Sequence, residues 1–217
     1  MLQTYMQFLA ELDENNNRVW FDENRARYKA LNEPFQLFVA DLIEKIGTFD
    51  ERLKFLTPKE CTYRINRDIR FSNNKLPYKT HLGSAFGHLG KNGSCPGYYF
   101  QLEHDGTIMI GGGWYMPDST QLYAMRKIIS KDATELLDIL EEQKFQKTFG
   151  GLNGDMLKTT PKGFNPEDEN IELLRYKNYL ATKKINVNGF SDENIAAEII
   201  KNFKVISPLI VYLRKNS

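Results

Sequence analysis

Apolar positions in the first fifty residues recur every three or four places. Leu2, Tyr5, Met6, Phe8, Leu9 and Leu12 form one stripe, as in a short amphipathic helix that buries a single face. The run Asn15-Asn16-Asn17 ends it. Asparagine is a favoured N-cap because its side-chain oxygen accepts from free amides of the next turn, so a second helix is expected from Asn16 or Asn17 to about Leu31. In it Phe21, Arg25 and Tyr28 share a face. Pro34 suits the first turn of a third helix, striped by Phe35, Phe38, Val39, Leu42, Ile43 and Ile46 and closed by Gly47.

From Cys61 the period drops to two. Tyr63, Ile65, Ile69 and Phe71 alternate with Arg64, Asn66, Asp68 and Arg70, which predicts a half-buried strand. Arg67 falls on the apolar side, where an unpaired charge is costly. It should reach a carboxylate or several carbonyls, or be turned aside by a bulge. Further strands are expected over 83–89, 97–104 and 107–112, with Asp105-Gly106 as a tight turn between the last two. Helical spacing returns at Leu122, Met125, Ile128 and Ile129 and again at Leu136, Leu137, Ile139 and Leu140, with Asp118 and Asp132 as N-caps. After a loop through Gly163, the tail predicts a helix over 166–176, a strand over 181–187 and helix to about 213. Helices, then strands joined by hairpin turns, then helices again predict the α+β class. The expected architecture is a mainly antiparallel central sheet flanked by N-terminal and C-terminal helices, in a single domain over 1–217.

Composition adds exclusions. The 217 residues are 41% hydrophobic and 26% charged, ordinary for a folded domain, and the formal net charge of +1 argues against a chain-wide binder of nucleic acid or anionic membrane. Cys61 and Cys95 can form at most one bridge, which a chain with a sizeable core does not need, so reduced thiols are expected, and without clustered partners they make a poor zinc site. No window approaches the ~18 apolar residues of a membrane span, and the N-terminus lacks a leader pattern, so a cytoplasmic protein without membrane contact is expected.

The near-neutral total hides local asymmetry. Residues 59–91 carry seven basic side chains against Glu60 and Asp68, while 132–142 hold five acidic residues and no basic one. Arg64 and Arg70 lie six residues apart, about 20 Å along a strand, too far to clamp one small anion. Arg70, at the strand end, can converge with Lys75, Tyr78, Lys79 and His81 on a phosphate, carboxylate or nucleic-acid backbone. The competing reading is that these groups pair with Asp68 and Glu103 and pin the loop to the sheet. Gly111-Gly112-Gly113 before Trp114 either lets amides approach an anion or bends a strand so that Trp114 packs; it matches no phosphate-loop or dinucleotide fingerprint. Lys158 and Lys162 either stay in solvent or close over the ligand, with Arg175 joining. His81 is the best general acid or base because imidazole titrates near neutrality, and Asp68 and Glu103 are the best carboxylates. Nothing specifies a cofactor, a metal or an oligomeric state.

Five segments together carry a resemblance: N-N-x-x-x-W-F-x-x-N from Asn15, Y-R-I-N-R-D-I-R-F-S-N-N-K-L-P-Y-K-T-H from Tyr63, G-Y-Y-F-Q-L-E, G-G-G-W-Y-M-P and L-K-T-T-P-K-G-F. The chain resembles the bacterial family catalogued as domain of unknown function 2461 over about residues 5–213. It departs at Asn66, where an aromatic is expected, and at Asn73-Asn74, where a charge often stands; neither removes a basic group of the central block. The resemblance implies one full-length domain and brings no reaction with it.

Two functions follow. One is an anionic-ligand site built from Arg64, Arg67, Arg70, Lys75, Tyr78, Lys79 and His81, with Trp114 and the Lys158 to Lys162 loop closing over it. A nucleic acid is the less favoured occupant, since alternating aromatics such as Tyr63, Phe71, Tyr78, Tyr98 and Tyr99 more often fill a core. The other is a non-catalytic interaction module, with the acidic 132–142 helix or an apolar patch as its contact surface.

Overall fold

The computed structural model describes all residues 1–217. Nine α-helices and four strands run in the order α1 (Leu2–Glu14), α2 (Arg18–Glu23), α3 (Arg25–Gly47), α4 (Pro58–Cys61), β1 (His81–Phe86), β2 (Gly97–Glu103), β3 (Thr107–Trp114), α5 (Ser119–Lys131), α6 (Thr134–Glu141), α7 (Gln143–Phe149), α8 (Ile171–Leu174), β4 (Tyr179–Asn186) and α9 (Asp192–Lys215). The strands form one antiparallel sheet in the order β1-β2-β3-β4, so the α+β expectation holds.

Local chemistry explains most boundaries. Asn17 caps α2 by accepting from the Trp20 amide, and Asp118 caps α5 by accepting from the amides of Thr120 and Gln121. Helix α3 differs from expectation: it begins at Arg25 and runs straight through Pro34. The proline lacks the N–H that would reach the Ala30 carbonyl, and Ala30 is exposed, so water can satisfy that carbonyl. Tyr28 and Leu31 before the proline and Phe35 and Phe38 after it pack against the same core, which keeps the helix continuous. Asp132 accepts from the Thr134 amide, but the helix starts one residue later than it would with Asp132 as its cap. Only Ile171–Leu174 of the expected 166–176 helix is helical.

The expected strand over 61–71 does not form. Its backbone makes isolated bridges, Thr62 to Ser84 and Asn66 to Tyr78, instead of a ladder. Tyr63 donates to the Gly83 carbonyl, then the chain folds back on itself, with Arg67 donating to Pro77 and Lys79 donating to Ile65. Past that fold the alternation loses its meaning, and Phe71 stands 96% exposed.

The pleat sends alternate side chains to opposite faces. Leu82, Phe86, Tyr98, Phe100, Leu102, Ile108, Ile110 and Trp114 face a core shared with Tyr5, Phe8 and Leu9 of α1, Phe35, Val39 and Leu42 of α3, and Ile199, Phe203, Ile206 and Ile210 of α9. Gly112 sits so close to α9 that a Cβ there would lie 3.1 Å from Ile210. One ion pair is buried in this packing. Asp50, in the segment after α3, accepts from Arg214 of α9 at 2.7 Å and from the Tyr98 hydroxyl at 3.1 Å, while Arg214 Nε donates to the Pro96 carbonyl. Removing one partner of such a pair leaves an uncompensated buried charge, so Asp50→Ala should destabilise the fold by about 3–5 kcal/mol in urea unfolding. A loss below about 1 kcal/mol, typical of exposed pairs, would show that the pair is not isolated from water.

Candidate functional site

No helix covers the other face of the sheet. Following the register, His81 lies opposite Glu103, Gly83 opposite Gln101, Tyr99 opposite Gly111, and Met109 opposite both Gln101 and Lys184. The polar groups on this face are linked. Tyr99 donates its hydroxyl hydrogen to Gln101 Oε1 at 2.6 Å, Gln101 Nε2 donates to Glu103 Oε1 at 2.8 Å, and Lys184 Nζ stands 3.3 Å from the same oxygen. The carboxylate thus anchors a row that fixes the Tyr99 ring. Gly83 is required beneath that ring, because a Cβ there would come within 2.4 Å of the phenolic oxygen.

The 62–80 segment brings cations to this face. Tyr63 meets Tyr99 edge-on at 6.4 Å, and Lys79 Nζ lies 5.1 Å over the Tyr63 ring. Burial lowers the Lys79 pKa, and the neighbouring Arg64 lowers it further. His81 is also held below its ordinary value, chiefly by burial; Glu103 opposes that shift, while Lys79 and Arg67 reinforce it. These mutual influences place Arg64, Arg67, Lys79 and His81 in one electrostatic neighbourhood. Neither arginine has a carboxylate partner. Arg64 is exposed, and Arg67, expected to find an acid or several carbonyls, reaches only the Ser72 hydroxyl at 3.4 Å.

Asn16 holds the segment in place. Its amide donates to the Tyr78 carbonyl and accepts from the Tyr78 N–H, both at 3.1 Å, imitating a strand neighbour. The Tyr78 ring stacks on Phe21 with centroids 4.0 Å apart and is buried, so it is part of the scaffold, not of a ligand surface.

Several expected site residues lie elsewhere. Arg70 is clamped by Asp68, Nε at 3.0 Å and an outer nitrogen at 2.7 Å, and these bonds hold the Asp68 carboxyl at about 2. Both are spent on each other in solvent, and neither joins His81 or Glu103. Lys75 donates to the Ile69 carbonyl and lines a separate hollow of about 480 Å³ with Asn16, Asn17, Arg18 and Pro77. Trp114 is 0% exposed on the core face, its indole N–H directed to the Ser94 carbonyl, so it cannot close over a ligand. The Gly111–Gly113 backbone is occupied by pairing with β2 and β4, which supports the bend and not the anion cradle. Lys158 and Lys162 are exposed, with no hydrogen bond or ion pair to the cluster, and Arg175 pairs with Glu172. The Cys61 thiol is buried and pushed up to about 12, which removes it as a nucleophile.

Sequence reasoning missed Gln101, Lys184 and Tyr115. Tyr99, Gln101 and Glu103 stand at every second position of a strand, a signal that was available. Lys184 required the β3–β4 register. Tyr115 is 64% exposed beside Tyr63 and Tyr99, just before Met116, whose φ of 49° is held by a 2.7 Å bond from its amide to Asn178.

The fold and site define an α+β protein with an antiparallel sheet whose helix-free face carries a polar and cationic cluster. The chain belongs to the family described as conserved hypothetical protein DUF2461, which matches residues 4–212. A crystal structure of an uncharacterized protein from Methanothermobacter thermautotrophicus is similar at 11% identity, covering 79% of this chain and 97% of that one with a TM-score of 0.37. No curated protein matches. No helix is long and apolar enough to cross a membrane.

The depressed His81 pKa has a sign that can be checked. Above the ordinary value of about 6.5 the imidazole is neutral in both folded and unfolded chains. As pH falls below it, the unfolded chain takes up the proton first, so stability is lost down to the folded midpoint. NMR titration should place the His81 midpoint below 6.5, and His81→Gln should flatten the stability loss in that window. A midpoint at or above 6.5 would contradict the burial assigned to this ring.

Proposed function

We propose that the helix-free face of the sheet binds an anionic ligand, a phosphate, a carboxylate or a nucleic-acid backbone, through Arg64, Arg67 and Lys79. His81 and Glu103 stand beside the bound group. The observation that carries this reading is that Arg64 lies near the half-buried Lys79 ammonium and that Arg67 and Lys79 lie near His81, with none of the three cations paired to a carboxylate. An anion placed among them would favour the charged form of Lys79 and relieve the repulsion between neighbours. The row from Tyr99 to Glu103 supplies fixed acceptors and a tyrosine hydroxyl at its border, which can orient hydroxyl or amide groups of the same ligand. His81, neutral at pH 7, is the group suited to accept a proton if the ligand is a substrate.

A thermal-shift series with orthophosphate, pyrophosphate, citrate, AMP and a short single-stranded oligonucleotide tests the reading. At a hundredfold excess over Kd, a ligand that binds only the folded state adds about 2.7 kcal/mol, which for a chain of this size raises Tm by about 5–10 °C. Arg64→Ala and Lys79→Ala should each abolish most of the shift. Arg70→Ala should keep it, because that guanidinium is committed to Asp68. Equal shifts in all three variants, or none with any anion, would refute the proposal.

A further inference from the structure

Away from the bare sheet face, a groove of about 820 Å³ lies between the end of α3, α7 and the first half of α9. Five lysines line it, Lys45, Lys144, Lys147, Lys201 and Lys204, against one acid, Glu193. Lys45 and Lys201 are paired within their own helices with Asp41 and Glu198. Lys144, Lys147 and Lys204 have no ion-pair partner, and Lys204 lies 5.8 Å over the Phe49 ring. The i, i+3 spacing stacks Lys144 with Lys147 on α7 and Lys201 with Lys204 on α9, about 5–6 Å apart within each row. Ala197, Ile200 and Val205 of α9 also line it.

Like charges facing each other across a groove repel, and an occupant with spaced carboxylates relieves that repulsion. The apolar part of the lining narrows the chemistry further. A phosphate chain answers the charge and leaves Ala197, Ile200 and Val205 uncovered; an amphipathic helix answers both. The fold already sets one such segment beside this groove: Asp138 and Glu142, at α6 and its end, share an adjoining hollow with Lys144 and Lys204.

We propose that the α3–α7–α9 groove docks an acidic amphipathic helix of a partner protein. Carboxylates at i, i+3 and i+4 spacing meet the lysines, and apolar side chains cover Ala197, Ile200 and Val205. The site is independent of the one on the sheet.

The probe is a fluorescein-labelled helical peptide of about 18 residues with glutamates along one side and leucines along the next, titrated into the full chain and followed by anisotropy. Saturable, salt-sensitive binding is expected. It should weaken at least tenfold in Lys144→Glu/Lys204→Glu, and at least tenfold when serines replace the peptide's leucines. Lys79→Ala should leave it unchanged. Circular dichroism checks that the double variant folds; Lys144→Gln/Lys204→Gln, which should weaken binding at least threefold, replaces it if it does not. Absence of saturable binding, indifference to both lysine variants, or equal binding of the serine peptide would overturn the proposal. So would tighter binding of polyphosphate at the same lysines, or self-association of the chain through them.

Discussion

A four-stranded antiparallel sheet in a chain of this size has helices enough for one of its faces. That constraint organises the molecule. Helices α1, α3 and α9 claim the side presented by Leu82, Phe100, Ile110 and their neighbours, and the alternation of the pleat then dictates what stands on the other side. Those positions include His81, Gly83, Tyr99, Gln101, Glu103, Met109, Gly111, Thr182 and Lys184. Without a helix to pack against, this face carries mostly polar or small side chains, and the pleat gathers their donors, acceptors and charges on one rigid surface.

The two classes of ion pair in the protein have different consequences. Asp50 and Arg214 are nearly inaccessible to water, and their pair fastens the segment after α3 to the far end of α9 and, through the Tyr98 hydroxyl, to β2. Arg70 and Asp68 make closer to ideal contacts, yet both are in solvent, where such a pair adds little to stability. What the exposed pair does is chemical: it takes Arg70 out of the set of cations available to a ligand. Arg64 and Arg67, with poorer contacts, remain available.

The segment between α4 and β1 depends on neighbours remote in sequence. Asn16, from the turn between α1 and α2, satisfies both backbone groups of Tyr78, and Phe21 receives the Tyr78 ring. These contacts position Lys79 and Tyr63 next to the sheet. The asparagine run that ends α1 therefore serves the site as well as the helix boundary.

Periodicity alone determined the helical stripes of α1 and α3, the hairpin at Asp105-Gly106, the antiparallel class and the presence of a basic segment, because each of these is encoded in side chains within one or two turns of one another. Local spacing misplaced Trp114, Tyr78, Arg70 and Lys75, and it turned the alternation over 61–71 into a strand. A strand exists only where another strand offers a continuous ladder, and an arginine is free only where no carboxylate lies in reach. Both are facts about distant chain, so tertiary structure decided which cations face the bare sheet, that Glu103 and Lys184 join across three strands, and that lysines from α3, α7 and α9 share one groove.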